Sequence, residues 1–258
     1  LSVVVRHQRE AVAAHALSLD SGVVIADQDE IKGTGRAAWC ALRDLDAVAA
    51  VSGAVVVLAG DVPLLDSGTL AQVLEAHAAD GNAVTVLTTQ VADPSGYGRI
   101  VREAGTGDVL RIVEQGQAHA DELAVTDINT SVDAVAASVL RSALEQLQGS
   151  TDNAQGEVYL TDVLALARTS GPVRAIATDD PIIVEGVNDR VQLAALGAEL
   201  NARVVEEAMR NGVTIVDPSS TWIDVTVELG RDVTILPGTQ LLGTTSVADD
   251  AVVGPDTT

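Results

Sequence analysis

The chain has 258 residues, 47% hydrophobic and 20% charged, with a mean hydropathy of +0.26. That composition excludes a disordered chain, which combines low hydrophobicity with high charge. Fifteen basic against 37 acidic residues leave a net charge of -22, which excludes a nucleic-acid binder built on clustered Lys and Arg and argues against an anionic membrane surface. The single cysteine, Cys40, can form neither an internal disulfide nor a thiolate metal site. With a single cysteine the expected compartment is the cytoplasm, and no apolar run approaches the roughly 18 residues of a membrane span.

Short, nearly continuous apolar runs predict strands over residues 1–5, 23–26, 54–59, 83–88 and 173–177, the last interrupted by Arg174. Helical patterns occupy residues 9–19, 35–51, 67–79, 136–148 and 159–169. Strand–helix alternation predicts an α/β fold with a mostly parallel sheet covered on both faces. Residues 189–210 read as one long helix with an apolar stripe of Val191, Leu196, Leu200, Val204 and Met209, stopped by Asn211-Gly212. Beyond it Ile223, Leu229, Ile235, Leu241, Val247 and Val253 fall six residues apart. A hexapeptide aliphatic period is the pattern of a left-handed parallel β-helix, with a chance alignment in a Val- and Leu-rich chain as the bland alternative. The expected domains are residues 1–189, a linker helix over 190–212, and the first coils of the β-helix over 213–258. A start at Leu1 inside a strand pattern, and an end at Thr258 inside a repeat, read as a chain cut at both ends.

Several polar residues sit where apolar runs end. Gly60-Asp61-Val62-Pro63 follows a strand pattern. Ligands bind off the carboxyl ends of strands in open α/β sheets, Gly60 permits close approach, and Asp61 offers a hard oxygen to a divalent cation. Position alone leaves a plain turn aspartate open. Gln28-Asp29-Glu30-Ile31-Lys32-Gly33-Thr34-Gly35 leads from a strand into a helix, where bare N–H groups suit a phosphate or a base edge and a helix cap is the alternative. Ser95-Gly96-Tyr97-Gly98-Arg99-Ile100 is a glycine turn before another strand. Glu114, Asn129 and Asn188 each end an apolar run, as site residues or as caps. His7, His15, His77 and His119 share no metal-ligand spacing.

In order, these segments resemble one family over nearly the whole chain: the bifunctional N-acetylglucosamine-1-phosphate uridylyltransferase/glucosamine-1-phosphate N-acetyltransferases, GlmU. The matching residues are Gln28 with Gly33-Thr34-Gly35; Gly60-Asp61-Val62-Pro63-Leu64; Asp93-Pro94-Ser95-Gly96-Tyr97-Gly98-Arg99-Ile100; and Ile112-Val113-Glu114. Ile128-Asn129-Thr130, Asn153-Ala154-Gln155-Gly156-Glu157-Val158-Tyr159-Leu160-Thr161-Asp162 and Glu185-Gly186-Val187-Asn188-Asp189-Arg190 follow, and then the hexapeptides.

The resemblance implies a Rossmann-like nucleotidyltransferase domain that joins UTP and N-acetylglucosamine 1-phosphate into UDP-N-acetylglucosamine and pyrophosphate, within a homotrimer. It implies that Gln28, Gly33 and Thr34 contact uracil, that Asp61 and Asn188 hold Mg²⁺, and that Gly98, Glu114, Asn129 and Thr161 contact the sugar. Ala59 and Gly60 belong to the same substrate-binding set. The family's glycine-rich phosphate loop is absent, and the acetyltransferase site would lie in coils beyond this sequence. Departures from the pattern are Arg6 for Gly, Lys32 for Leu, Arg36 for His, Ala59 for an aromatic, Ser131 for Gly and Asp133 for a bulky residue. A related transferase of other specificity, or a non-catalytic sugar-nucleotide scaffold, are the competing readings.

Overall fold

The computed structural model describes residues 1–147 and 157–258. The chain divides into two compact units: Leu1–Gly60 with Leu65–Val184, and Asp61–Leu64 with Glu185–Thr258.

The first unit opens with β1 (Ser2–Val5), α1 (Arg9–Leu19) and β2 (Val24–Asp27). β1 and β2 pair in parallel from Ser2 opposite Val24 to Val5 opposite Asp27, as a helical crossover requires. α2 (Thr34–Val48), β3 (Ala54–Leu58), α3 (Ser67–Ala79) and β4 (Val84–Gln90) follow. α3 starts where the Asp66 carboxylate accepts the Thr69 N–H at 2.9 Å, satisfying one of the donors a helix leaves open. Next come β5 (Arg99–Arg102), β6 (Val109–Val113), the short α4 (Ala120–Leu123) and the long β7 (Asp127–Ala136). α5 (Ala137–Leu147), α6 (Leu160–Ala167) and β8 (Val173–Ala177) complete the unit.

The main sheet has the order β6-β5-β7-β4-β8, with β3 also on β7. β4 is buried at six of its seven positions, as its β-branched run predicts. α5 buries Leu140, Ala143, Leu144 and Leu147, and α6 buries Leu160, Val163, Leu164 and Ala167. These helical spacings place both helices on the larger core cluster with Val84, Val86 and Val135. Each fully buried Leu contributes roughly 1.5–3 kcal/mol.

Two expectations change. The sheet is mixed, because β7 runs antiparallel to β3, β4 and β5, and within this sheet β4 pairs in parallel with β8. Strand–helix alternation breaks after β4. β5 and β6 are joined by a short connection, which permits only antiparallel pairing. β3 is also less buried than its composition implies. Among the described residues it pairs with β7 alone, and Leu58 is 43% exposed. Smaller differences fall at ends: α2 stops at Val48 and α6 at Ala167, and Gln148 of the expected fifth helix lies outside the described residues.

In the second unit α7 (Arg190–Arg210) is capped by Asp189, whose carboxylate accepts the Val191 and Gln192 N–H groups at 2.8 Å. Seven two-residue strands follow: β9 (Thr214–Ile215), β10 (Trp222–Ile223), β11 (Glu228–Leu229), β12 (Thr234–Ile235), β13 (Gln240–Leu241), β14 (Ser246–Val247) and β15 (Val252–Val253). Trp222 pairs with Gln240, Glu228 with Ser246 and Thr234 with Val252, all in parallel and each eighteen residues on. Three hexapeptides therefore make one repeat. All six hexapeptide aliphatic residues gather in one core with Val204, Val205 and Ala208 of α7. Asp232 and Asp250, one repeat apart, share left-handed φ angles of 58° and 60°, a conformation aspartate tolerates. The buried stripe of α7 differs from the expected one. Leu196 and Val205 are buried, whereas Val191 is 78% exposed and Leu200 and Met209 are also exposed. The repeat covers one side of the helix only.

Asp133 is the sharpest local conflict in the first unit. It lies on β7 between Val57 and Val86, 2% exposed, and its Oδ1 has no hydrogen-bond partner among the described residues. Burial pushes its carboxyl up to about 7. Between the unfolded value near 3.8 and the folded value near 7, the unfolded chain releases this proton while the folded chain keeps it. Stability therefore falls as pH rises through that window and levels off above it. Asp133→Leu should stabilise the protein at pH 8 by up to about 4 kcal/mol, and this gain should shrink toward pH 4.5. Urea unfolding at both pH values checks it; an equal gain at both would refute a titrating Asp133.

Candidate functional site

The loop and helix start over residues 28–35 carry the first group of candidate residues. The Gln28 amide N–H₂ donates to the carbonyls of Ile31 and Gly33, each at 3.1 Å. Its remaining polar atom, Oε1, is an acceptor. Arg36 forms a two-pronged ion pair with Asp29. That hydrogen bond comes first among the causes holding the Asp29 carboxyl below its usual range. Lys32 is exposed. The two charged departures in this segment, Lys32 and Arg36, are thus solvated or paired, which removes their desolvation cost.

The glycines of this loop have a concrete cause. Gly33 takes φ +107°, and a Cβ there would collide with the Val158 carbonyl oxygen and lie 2.7 Å from that residue's backbone carbon and nitrogen. The Gly35 N–H donates to the Val158 carbonyl at 2.9 Å, and the Val158 N–H donates to the Lys32 carbonyl at 3.0 Å. The Leu160 N–H donates to the Thr34 hydroxyl at 3.0 Å. The 158–160 segment is laced to the 32–35 loop, so the Gly35 N–H is already occupied and is not the bare donor that the sequence pattern suggested. These backbone contacts were invisible in the sequence. Paired glycines at 33 and 35 were the only signal of a close approach.

The second group comes from four different elements. The Asn129 N–H on β7 donates to the Gly98 carbonyl at 2.8 Å. A Cβ at Gly98 would lie 3.0 Å from Ile112 Cγ2, 3.5 Å from Asn129 Cβ and 3.7 Å from Glu114 Oε2. Thr161, at the start of α6, donates its hydroxyl to Glu114 Oε1 at 3.3 Å. Residues 98, 114, 129 and 161 are therefore neighbours, and Thr161 follows directly on the segment that locks the Gln28 loop. Desolvation raises the Glu114 carboxyl above its ordinary range; the Asp162 charge adds to this, and the Thr161 hydrogen bond opposes it. The part of the family motif at residues 153–156 lies outside the described residues.

A bulge in β7 ties this group to the end of β3. Pairing with β4 jumps from Val86 opposite Asp133 to Thr88 opposite Asn129. Ser131 at the bulge has φ 59°. Its N–H donates to Asn129 Oδ1 at 3.2 Å, and its carbonyl accepts the Ala59 N–H at 3.3 Å. Next to Ala59, a Cβ at Gly60 would meet nothing within 4 Å, so packing does not demand this glycine.

Asp61 and Asn188 both belong to the second unit. The Val187 N–H donates to the Asp61 carbonyl at 2.8 Å, which brings residue 188 beside the 61–64 segment. Both side chains are exposed. Among the described residues no three His, Cys, Asp or Glu side chains group as a metal cage. One carboxylate and one amide oxygen suit a hard cation that takes its other ligands from water and phosphate, as Mg²⁺ does.

The description of a nucleotidyl transferase matches residues 1–155, and the chain belongs to that family. More narrowly, it is similar to bifunctional protein GlmU. It is 55% identical to that of Bifidobacterium longum subsp. infantis over 258 residues, covering 100% of this chain and 55% of that protein. It is 56% identical to that of Pseudarthrobacter chlorophenolicus over 259 residues, covering 100% of this chain and 52% of that one. The chain thus spans about half the length of these curated relatives. A crystal structure from Bacillus anthracis, assigned as a glucose-1-phosphate thymidylyltransferase in complex with a sucrose, superposes with a TM-score of 0.55 at 18% identity. It covers 77% of this chain and 74% of that one and shares the fold. No helix among the described residues is long and apolar enough to cross a membrane.

The two glycine-type positions make opposite predictions. Ser131→Gly should stabilise by about 0.5–1 kcal/mol, since relief of a left-handed side chain exceeds the entropy that glycine adds. Gly33→Ala should destabilise by about 3 kcal/mol, because backbone, which cannot move like a side chain, occupies the Cβ position. Thermal unfolding of both variants checks this; a destabilising Ser131→Gly or a neutral Gly33→Ala would contradict these local geometries.

Proposed function

We propose that this chain is the uridylyltransferase part of a GlmU-type bifunctional protein, forming UDP-N-acetylglucosamine and pyrophosphate from UTP and N-acetylglucosamine 1-phosphate for cell-wall precursor synthesis. The observation that carries this reading is the meeting of Gly98, Glu114, Asn129 and Thr161 next to the segment that locks the Gln28 loop. Identity of 55% and 56% over the whole of this chain to GlmU proteins, about half of whose length it spans, supports it.

In this reading Gln28 Oε1 accepts the N3–H of uracil, a proton that cytosine lacks, and the loop holds that acceptor in place through the two amide hydrogen bonds. Glu114 and the Asn129 amide bind hydroxyl and acetamido groups of the sugar, positioned by Thr161 and Gly98. Asp61 and Asn188 would hold Mg²⁺, which would neutralise charge on the phosphates when bound. A phosphate oxygen of the sugar phosphate attacks the α-phosphorus of UTP in line. The bond from that phosphorus to the bridging oxygen breaks, and pyrophosphate leaves. Positioning supplies much of the acceleration, so the chain's contribution is a fixed base loop and a fixed sugar pocket. The eighteen-residue parallel repeat supports a left-handed β-helix leading into the acetyltransferase part, and the parent assembly is a homotrimer.

The test is pyrophosphate release from UTP and N-acetylglucosamine 1-phosphate by the complete gene product. Activity should require a divalent cation. Asp61→Asn should lower kcat by roughly a hundredfold or more through the lost metal ligand, with unfolding temperature nearly unchanged, because Asp61 is exposed. Near-unchanged kinetics would make Asp61 a turn residue. No pyrophosphate release by the unaltered protein would reject the functional reading itself.

A further inference from the structure

Arg99 is the most unusual charge in the first unit. It is 2% exposed, at the start of β5 directly after Gly98. Its Nη1 donates to the Tyr97 carbonyl, while its Nε is buried without a hydrogen-bond partner among the described residues. No carboxylate among the described residues forms an ion pair with it. A buried guanidinium in that state is costly, and exchanging such a charge for an apolar side chain is commonly neutral or favourable for folding. Fold stability alone therefore gives no reason for arginine here.

The surroundings supply one. Ile100 packs with Ile112 in the larger core cluster, and strand alternation turns Arg99 away from them. The 93–98 turn meets the guanidinium at the Tyr97 carbonyl. At its start, the Asp93 carboxylate accepts the Ser95 N–H at 3.0 Å, and Arg99 attracts the same carboxylate. At its middle, Gly96 has φ +90° and donates its N–H to Gln115 Oε1, one residue beyond Glu114. At its end, Tyr97 is bonded to Arg99, and the Gly98 carbonyl receives the Asn129 N–H. The turn thus hangs on the Asp93 carboxylate, the Gln115 amide and the buried Arg99 guanidinium.

We propose that Arg99 is a positioning residue for the candidate sugar pocket: its buried guanidinium holds the 93–98 turn in the shape that keeps Gly98 against Glu114 and Asn129. Identifying this pocket with the sugar rests on the function proposed above; the mechanical role does not.

The experiment compares the unaltered protein with Arg99→Met and Arg99→Lys by residue-resolved amide hydrogen exchange, thermal unfolding and calorimetric titration with N-acetylglucosamine 1-phosphate. In Arg99→Met the Gly96 and Asn129 amides should exchange about tenfold faster or more, with β4 amides unchanged. The unfolding temperature should stay within a few degrees or rise, and the sugar phosphate should bind roughly tenfold more weakly, as for one lost hydrogen bond. Arg99→Lys, which keeps the charge and one donor, should recover part of both effects. Unchanged exchange at Gly96 and Asn129, or equal acceleration across the whole sheet, overturns the proposal. If the unaltered protein binds no sugar phosphate, the functional reading fails, and the exchange data still decide the role of Arg99.

Discussion

The hydrogen-bonding of β7 is the constraint on which most of the first unit depends. Along one edge it pairs with β4; along the other it pairs with β5 near Ile128 and with β3 from Val132 to Ala136. A strand shared in this way fixes the register of three others at once. Its bulge at Ser131 sits where the partner changes. Asn129 therefore faces the Gly98–Glu114 group, while residues 132–136 align β3, whose carboxyl end leads into Ala59, Gly60 and Asp61. A uniform ladder would carry one side-chain alternation throughout. The bulge lets the same strand serve a polar pocket at one end and two apolar clusters at the other.

The second dependence is the close approach of the 158–160 backbone to the 32–35 loop. It uses two carbonyls and one hydroxyl as acceptors and the Gly35, Val158 and Leu160 N–H groups as donors, so the loop's shape is over-determined before any ligand arrives. Preorganisation of this kind lowers the ordering cost of binding. The next residue, Thr161, bonds Glu114, so one short stretch of chain touches both candidate groups.

Local patterns were legible where the local pattern decides. α1, α3 and β8 have the limits that the periodicity and turn residues predict. The hexapeptide period translated directly into parallel pairs eighteen residues apart, since each aliphatic residue has one inward position to fill. Non-local choices were not legible. The antiparallel course of β7 depends on pairing with strands up to some eighty residues away. The buried face of α7 depends on which side the repeat covers, and Val191 and Met209 carry no mark of exposure in the sequence. In the site, the candidate residues could be identified, but the reason for Gly33 could not, because it is the backbone of Val158. Arg99 stands in a matching motif, but nothing in the sequence marks it as buried, since its burial depends on how the 93–98 turn and β5 pack.

Charge sets the last constraint. In a chain of net charge -22, the cations are largely committed: Arg36 to Asp29, Arg102 to Asp127, Arg111 to Glu122, Arg141 to Asp46 and Arg174 to Asp80. Arg99 is buried away from solvent, and Lys32 is exposed on the base loop. A triphosphate approaching these residues meets few uncommitted positive charges, and the repulsion of a surplus of carboxylates is only partly screened at physiological ionic strength. On the proposed reading, the neutralising charge has to arrive with the nucleotide as a divalent cation. The exposed oxygens of Asp61 and Asn188 then add an anchor for that cation without asking an acidic surface to bind phosphate directly. On that reading the surplus carboxylates repel the metal complex of the triphosphate less strongly than the bare nucleotide, because the bound cation cancels part of its charge.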